Sequence, residues 1–297
     1  MTLDADEILW NGRSLSGFDR VWIQGFSYLN PVVPDAALQR DWSVWQMDSV
    51  TGQQEYSALY SVFEELDRRG VTLFNPPRVH LKNFTKFSWL EALRDAGYQV
   101  PALFCSNDAQ EVKLFCQQWT NVVWRPAIGR GAWQIFMEKQ SFDLVAPHKP
   151  PILLAEGKMG FLTHAWLLNG KVVLCLRKSP PQHTPPLERL EFMLPVDLGD
   201  QLEVLQRLVL EQGVAWAMVT FIPSDTGPWI YDLDPDPILD WLPVVFRDVL
   251  LFSLASVLTG QEPRCAAPVA GQERPNMFLR RMLKILFELE YSKYSQR

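Results

Sequence analysis

Apolar and polar positions along this 297-residue chain follow three successive rhythms. In the first third, short apolar runs at 7–10, 20–25 and 71–75 read as strands. Between the last two, Tyr56, Tyr60, Phe63 and Leu66 form a stripe with charges opposite, which predicts a helix over 53–69 closed by Gly70. Pro76 and Pro77 end the strand that follows. A second helix is expected from Thr85, a favoured capping residue, to Asp95, with Gly97 ending it. A strand over 100–104 and a helix over 108–119 complete this part.

The middle third changes to short β segments at 121–126, 133–138, 152–155, 161–168 and 171–177. Asn169-Gly170 between the last two is a strong two-residue hairpin signal. A proline-rich stretch at 179–186 reads as a loop. The last third predicts a helix over 198–211, then a hairpin of strands 215–223 and 229–233 turning at Asp225-Thr226-Gly227. Helices over 247–258 and 275–294 close the chain, separated by a linker rich in proline, glycine and alanine at 260–273. The apolar residues of the last helix, among them Met282, Leu283, Leu286 and Leu289, suit core packing or a dimer surface. Regular βα alternation is missing, so a doubly wound sheet is not expected.

Composition narrows the picture only in part. The formal charge of −6 argues against a nonspecific nucleic-acid binder, which needs a basic face. No signal peptide is expected from the acidic N-terminal residues, and no apolar run approaches the ~20 residues of a membrane span, so a cytoplasmic location is expected. Four cysteines without CxxC spacing read as free thiols rather than as a zinc site. Twelve tryptophans, including Trp42, Trp45, Trp124, Trp133, Trp166 and Trp216, sit in patterns resembling strands or strand ends and read as packing residues.

Two segments carry candidate chemistry. Arg125 ends the apolar run Val122-Val123-Trp124 and is followed by Pro126 and the glycine-flanked Gly129-Arg130-Gly131. A charge there must find a partner or reach solvent, and glycines let backbone amides approach phosphate oxygens; a plain hairpin tip is the alternative. The strand at 229–233 delivers Asp232 and Asp234, two apart and hence on one side, into the proline turn Asp234-Pro235-Asp236-Pro237. Paired carboxylates suit magnesium, which takes one or two of them together with substrate phosphates; a simple turn is the alternative. Lys86 lies in the first turn of a helix, where the dipole disfavours a cation unless a phosphate lies between, although a surface lysine would look the same. Arg177 and Lys178 end a hairpin and could steady a transferred phosphoryl group, or simply be exposed. The four histidines show no metal-ligand spacing.

The order of these segments resembles that of the RimK/glutathione-synthetase-like ATP-grasp ligases. The resemblance rests on Phe74 to Pro77, on Lys86 followed by a helix with Leu90 and Leu93, on Gly97 to Pro101, and on Val122 to Gly131. It continues through the Asn169 to Pro180 hairpin segment and the Tyr231 to Pro237 strand end, and covers roughly residues 70–260. It implies an α+β ATP-grasp fold, two subdomains gripping a nucleotide, preceded by a shortened α/β N-terminal domain. The implied division is 1–82, 83–155 with the glycine loop, and 156–297 with the metal strand. By the same resemblance Lys86, Arg125, Gly129, Arg130 and Gly131 hold ATP phosphates, and Leu154, Ala155 and Glu156 lie in the hinge against adenine. Asp232 and Asp234 would bind Mg2+, while Arg177 and Lys178 act on the transferred group. The implied activity is a carboxylate–amine or carboxylate–thiol ligase passing through an acyl phosphate, acting on an amino acid, a peptide or a natural-product intermediate. A nucleotide-binding relative with weakened ligase activity, serving a recognition or regulatory role, is the alternative. A homodimer or a partner protein remains open. Three positions depart from the family pattern: arginine replaces the central lysine, D-x-D replaces E-x-N, and Thr220 stands where an aspartate is usual.

Overall fold

The computed structural model describes residues 2–3, 7–10, 13–15, 17–25, 42–127, 132–137, 145–178, 190–193 and 198–263. The N-terminal strands β1 (Thr2–Leu3), β2 (Ile8–Trp10) and β3 (Arg13–Ser14) make a small antiparallel sheet. Next, β4 (Arg20–Trp22) and β5 (Thr72–Phe74) pair in parallel, connected across α1 (Trp42–Arg68). Val62 and Leu66 of α1 are buried on Ile23 and Leu73, and Tyr56, Tyr60 and Phe63 of the stripe read in the sequence pack partly buried on the same cluster.

Helix α1 begins eleven residues before the expected start, and Trp42 and Trp45 therefore belong to a helix, not to strand ends. Aromatic residues carry a strand preference, but no breaker other than Gly52 lies between them and the apolar stripe, and context overrides the propensity. Pro77, expected only to end β5, also opens the short helix α2 (Pro77–His80), where its missing N–H costs nothing. A 3₁₀ turn over Leu81–Phe84 then leads into α3 (Lys86–Asp95). Thr85 holds the N-cap position without making a side-chain cap bond.

A four-stranded sheet of order β6-β9-β7-β8 follows, with α4 (Ala109–Gln118) on one face. Its strands are β6 (Leu103–Ser106), β7 (Val122–Pro126), β8 (Gln134–Ile135) and β9 (Ile152–Glu156). Asp108 caps α4 through Gln110 and Glu111 amides, as the sequence suggests. Strand β6 starts three residues later than expected because Pro101 supplies no donor to the ladder. Strand β8 is only two residues long, against the six expected.

The second large sheet has the order β12-β11-β10-β13-β14 and is wholly antiparallel. It comprises β10 (Thr163–Leu168), β11 (Lys171–Lys178), β12 (Leu190–Met193), β13 (Trp216–Ile222) and β14 (Trp229–Asp234). The β10–β11 turn is the predicted one: Asn169 and Gly170 both adopt positive φ, as a two-residue type I′ hairpin requires. Strand β12 was not foreseen. One sheet face packs on α3 and on α5 (Gln201–Glu211) through Leu90, Leu93, Leu205 and Leu208. The other face packs on α6 (Val244–Leu258) through Leu250, Leu254 and Val257, beneath Trp166 and Trp216. Helix α6 starts directly after Pro243, three residues earlier than expected. The expected loop at 179–186 and helix at 275–294 lie outside the described residues.

Candidate functional site

The two large sheets meet at the charged end of β14. Register places Asp232 directly across from Thr220 on β13, and Asp234 across from Met218. Alternation then sends Tyr231 and Leu233 into the core beside α3 and α5, while both carboxylates share the opposite side. Because β14 is the last strand of its sheet, its outer backbone edge is open to other elements.

Lys86, at the start of α3, fills part of that edge. Its Nζ donates to Asp232 Oδ1 at 2.6 Å and to the Leu233 carbonyl at 2.7 Å, and it lies 5.4 Å from the Trp89 ring centroid. From the other sheet, Arg125 on β7 donates through a guanidinium nitrogen to Asp232 Oδ2 at 2.5 Å. Its guanidinium also stands 5.7 Å from the ring of Trp133, whose indole N–H donates to the Tyr231 carbonyl. Lys86 and Arg125 are each only 1% exposed, and Asp232 6%, so this is a buried cation–carboxylate–cation bridge between two sheets.

A second layer supports Asp234. Its Oδ1 accepts from Asn83 at 3.2 Å and from the Asp236 amide at 3.0 Å. Asp236 in turn accepts from the Gly25 amide and lies 3.6 Å from His80 Nδ1, tying the turn to the N-terminal region. Asn75, fully buried, makes four bonds. Its amide donates to the carbonyls of Trp216 and Pro235, and its side-chain oxygen accepts from the amides of Ala215 and Trp216. Thr220 Oγ1 lies 3.0 Å from His164 Nδ1, so a hydroxyl and an imidazole border Asp232 where a third acid was looked for.

Burial removes water from every member of this cluster. It pushes the Lys86 ammonium down, while Asp232 and Asp234 oppose that push. Burial alone would raise the Asp232 carboxyl, but Arg125 and Lys86 outweigh it and hold it at about 2. Since this folded-state value lies below the ordinary carboxylate value, the stabilisation is complete above pH ~4 and is lost as pH falls towards ~2. We expect the urea midpoint to fall steeply across that window. In Asp232→Asn, the part of the fall due to this group, on the order of 2–3 kcal/mol, is absent.

The structure thus brings Lys86, Arg125, Asp232 and Asp234 together. It does not add Arg177, which lies 4.9 Å from the Phe161 ring and is paired by register with Thr163, on the sheet face away from Asp232. Lys178 closes β11, but its side chain, like Gly129, Arg130 and Gly131, lies outside the described residues. Of the expected hinge residues, Leu154 turns its side chain to Val112 and Phe115 beneath α4. Leu153 and Ala155 face the side that carries Arg125, because Arg125 pairs directly with Leu153. Glu156 and Gly157 line a cavity of about 290 Å³ with Trp119, Asn121 and Lys158. The Tyr231 hydroxyl donates to the Glu156 carbonyl and accepts from the Lys158 amide, joining β14 to the hinge. Sequence reasoning passed over Asn83, His80 and Asp236 as site residues. It noticed Asn75 only as part of a motif, and the Asp236-Pro237 pair was the one local signal for the supporting turn.

This donor set suits a magnesium-bound polyphosphate by exchange of partners. Two cations and two carboxylates sum to zero charge. Phosphate oxygens can replace Asp232 at Lys86 and Arg125, and a hard cation can replace those two at Asp232 and Asp234. Among the described residues no group of three His, Cys, Asp or Glu side chains stands ready for a metal. Magnesium here would therefore draw its remaining ligands from phosphates and water.

No family model matches the chain, and no curated protein matches it. Solved structures do. The ATP-grasp ligase PsnB, complexed with a phosphomimetic variant of a minimal precursor, magnesium and ADP, superposes with a TM-score of 0.63 at 17% identity, covering 78% of each chain. A RiPP-associated ATP-grasp ligase from Chryseobacterium gregarium, in complex with ADP and a leader and core peptide, gives 0.57 at 14% identity. That match covers 87% of this chain and 85% of that one. The macrocyclase MdnC of Microcystis aeruginosa MRC, bound to the precursor peptide MdnA, gives 0.55 at 14% identity, over 84% and 81%. The chain has the mixed α+β ATP-grasp fold.

Proposed function

We propose that this chain is an ATP-dependent ligase acting on a peptide, in which a carboxylate is joined to an amine or a thiol. The observation that carries the reading is the meeting of Lys86 and Arg125, from two different elements, on Asp232 at the junction of the two sheets. Phosphate-binding cations and metal-binding carboxylates are thereby held at one buried point of an ATP-grasp fold. Like PsnB, the C. gregarium ligase and MdnC, which are complexed with a variant of a minimal precursor, a leader and core peptide, and a precursor peptide respectively, the chain would take a peptide as its acceptor.

ATP as co-substrate supplies the phosphoryl group that turns a carboxylate into an acyl phosphate, ADP leaving, before an amine or thiol displaces phosphate. The residues of this chain bind and orient. Lys86 and Arg125 would neutralise phosphate charge, and Asp232 with Asp234 would hold magnesium, which offsets the charge of the transferred group. Burial makes these interactions stronger than they are in water. Leu153 and Ala155 offer an apolar wall, and the Glu156–Gly157 backbone a polar rim, for the base. Among the described residues no helix is long and apolar enough to cross a membrane.

One observation favours a second reading. Asp232 is already satisfied by two buried cations, and Thr220 replaces an acid beside it. A nucleotide-binding relative with weakened ligation, serving as a recognition partner, has this signature as well. Titration calorimetry with magnesium-ATP tests the shared premise. The wild type should bind, and Asp234→Ala should weaken binding at least tenfold, ~1.4 kcal/mol. Absence of binding by the wild type removes both readings. ADP release that depends on a peptide acceptor then separates the ligase from the relative.

A further inference from the structure

Helix α6 has no polar side. Its inner face is core, yet its outer face carries Val244, Val245, Leu251 and Phe252, exposed at 57%, 56%, 38% and 68%, in line with Trp241 at 36%. These residues recur every three to four and seven positions, so they form one continuous stripe, interrupted only by Asp248. A helix that is apolar all round belongs in an interior, and a patch this contiguous marks a docking surface.

We propose that the occupant is the chain's own segment 277–290, laid along the outer face of α6. The first argument is pattern. Phe278, Leu279, Met282, Ile285, Leu286 and Leu289 fall on one broad helical face with Leu283 at its margin, while Arg280, Arg281, Lys284 and Glu288 fall opposite and Phe287 lies between the two. A helix with one such stripe needs a single apolar face to cover, and α6 presents one. The second argument is length. Fourteen helical residues span about 21 Å and the fifteen of α6 about 22 Å. The third is reach. Helix α6 ends at Leu258, and the chain is described to residue 263, so thirteen residues, 264–276, link it to the segment. They span up to roughly 43 Å when extended, enough to start the segment at either end of α6. Docking also accounts for the segment's composition, because an isolated helix this short is marginal in water and gains its stability from packing.

Hydrogen exchange on the full-length protein, read by mass spectrometry, tests the proposal. In the wild type, amides of 277–290 should exchange at least ~10-fold more slowly than an unstructured chain. Phe252→Asp, at an exposed position, should abolish that protection while β10 and β13 stay protected, which shows that the fold is intact. Protection that survives Phe252→Asp overturns the proposal, as does its absence in the wild type. Protection that disappears on dilution, with a matching change from dimer to monomer in light scattering, also overturns it and assigns the face to a second copy of the chain. None of these outcomes depends on nucleotide binding.

Discussion

Asp232→Ala is expected to lower the unfolding free energy by about 3–5 kcal/mol, the cost of leaving a buried charge uncompensated. In this chain two charges are stranded, since Lys86 and Arg125 each lose their carboxylate partner while remaining 1% exposed. Lys86→Met provides the contrast. It removes a cation that burial already penalises and leaves Asp232 paired with Arg125, so its cost should be clearly smaller. Urea unfolding of the three proteins checks the order. An equal loss in both variants would mean that the bridge acts as one inseparable unit; no loss in Asp232→Ala would mean that the cluster is not buried as described. The same variant should lose magnesium-ATP binding beyond detection, because one substitution removes the expected metal ligand and disturbs both phosphate-binding cations.

Asn75→Ala should cost about as much, roughly 3–5 kcal/mol, although it removes no charge. The Asn75 side chain bridges the end of β5, the start of β13 and the turn after β14, and three of its four bonds are fully buried. Alanine leaves two carbonyls and two amides without those partners, at about 1–3 kcal/mol for each group that stays unsatisfied, less whatever relaxation recovers. Asn75→Asp keeps the acceptor but loses both donors and buries a charge, so it should be no better tolerated. Unfolding midpoints for the two variants decide the matter. The Asn75→Ala variant should also bind magnesium-ATP less tightly, since the Pro235 carbonyl it holds lies next to Asp234.

Much of this was legible in the order of residues. The Asn169-Gly170 turn, the Asp108 cap and the buried stripe of α1 are local matters, settled within a few residues by backbone sterics and periodicity. The placement of Asp232 and Asp234 on one side of a strand follows from its two-residue repeat in the same way. Errors fell where local preference competes with context. Trp42 and Trp45 look like strand residues but extend a helix, and β6 waits for a residue past Pro101 that can join a ladder. Leu154 entered the expected hinge through the family resemblance, and strand alternation turns its side chain towards α4 while Leu153 and Ala155 face the side of Arg125.

What the sequence by itself determined, then, is most of the described elements, though not β12 or α2, and the chemical character of three element ends: a cation on β7, a cation opening α3, and two carboxylates ending β14. It could not determine that these charges meet. Lys86 and Asp232 are 146 residues apart, and Arg125 and Asp232 107. Their meeting depends on how two sheets and a helix pack, a matter of shape and apolar burial across the whole molecule. Only the tertiary structure shows that each cation already holds a carboxylate, that Arg177 faces away, and that Asn75 fastens the turn. The physical reason is that charge and periodicity are properties of neighbouring residues, whereas burial, which makes a charge seek its partner, is a property of the assembled core.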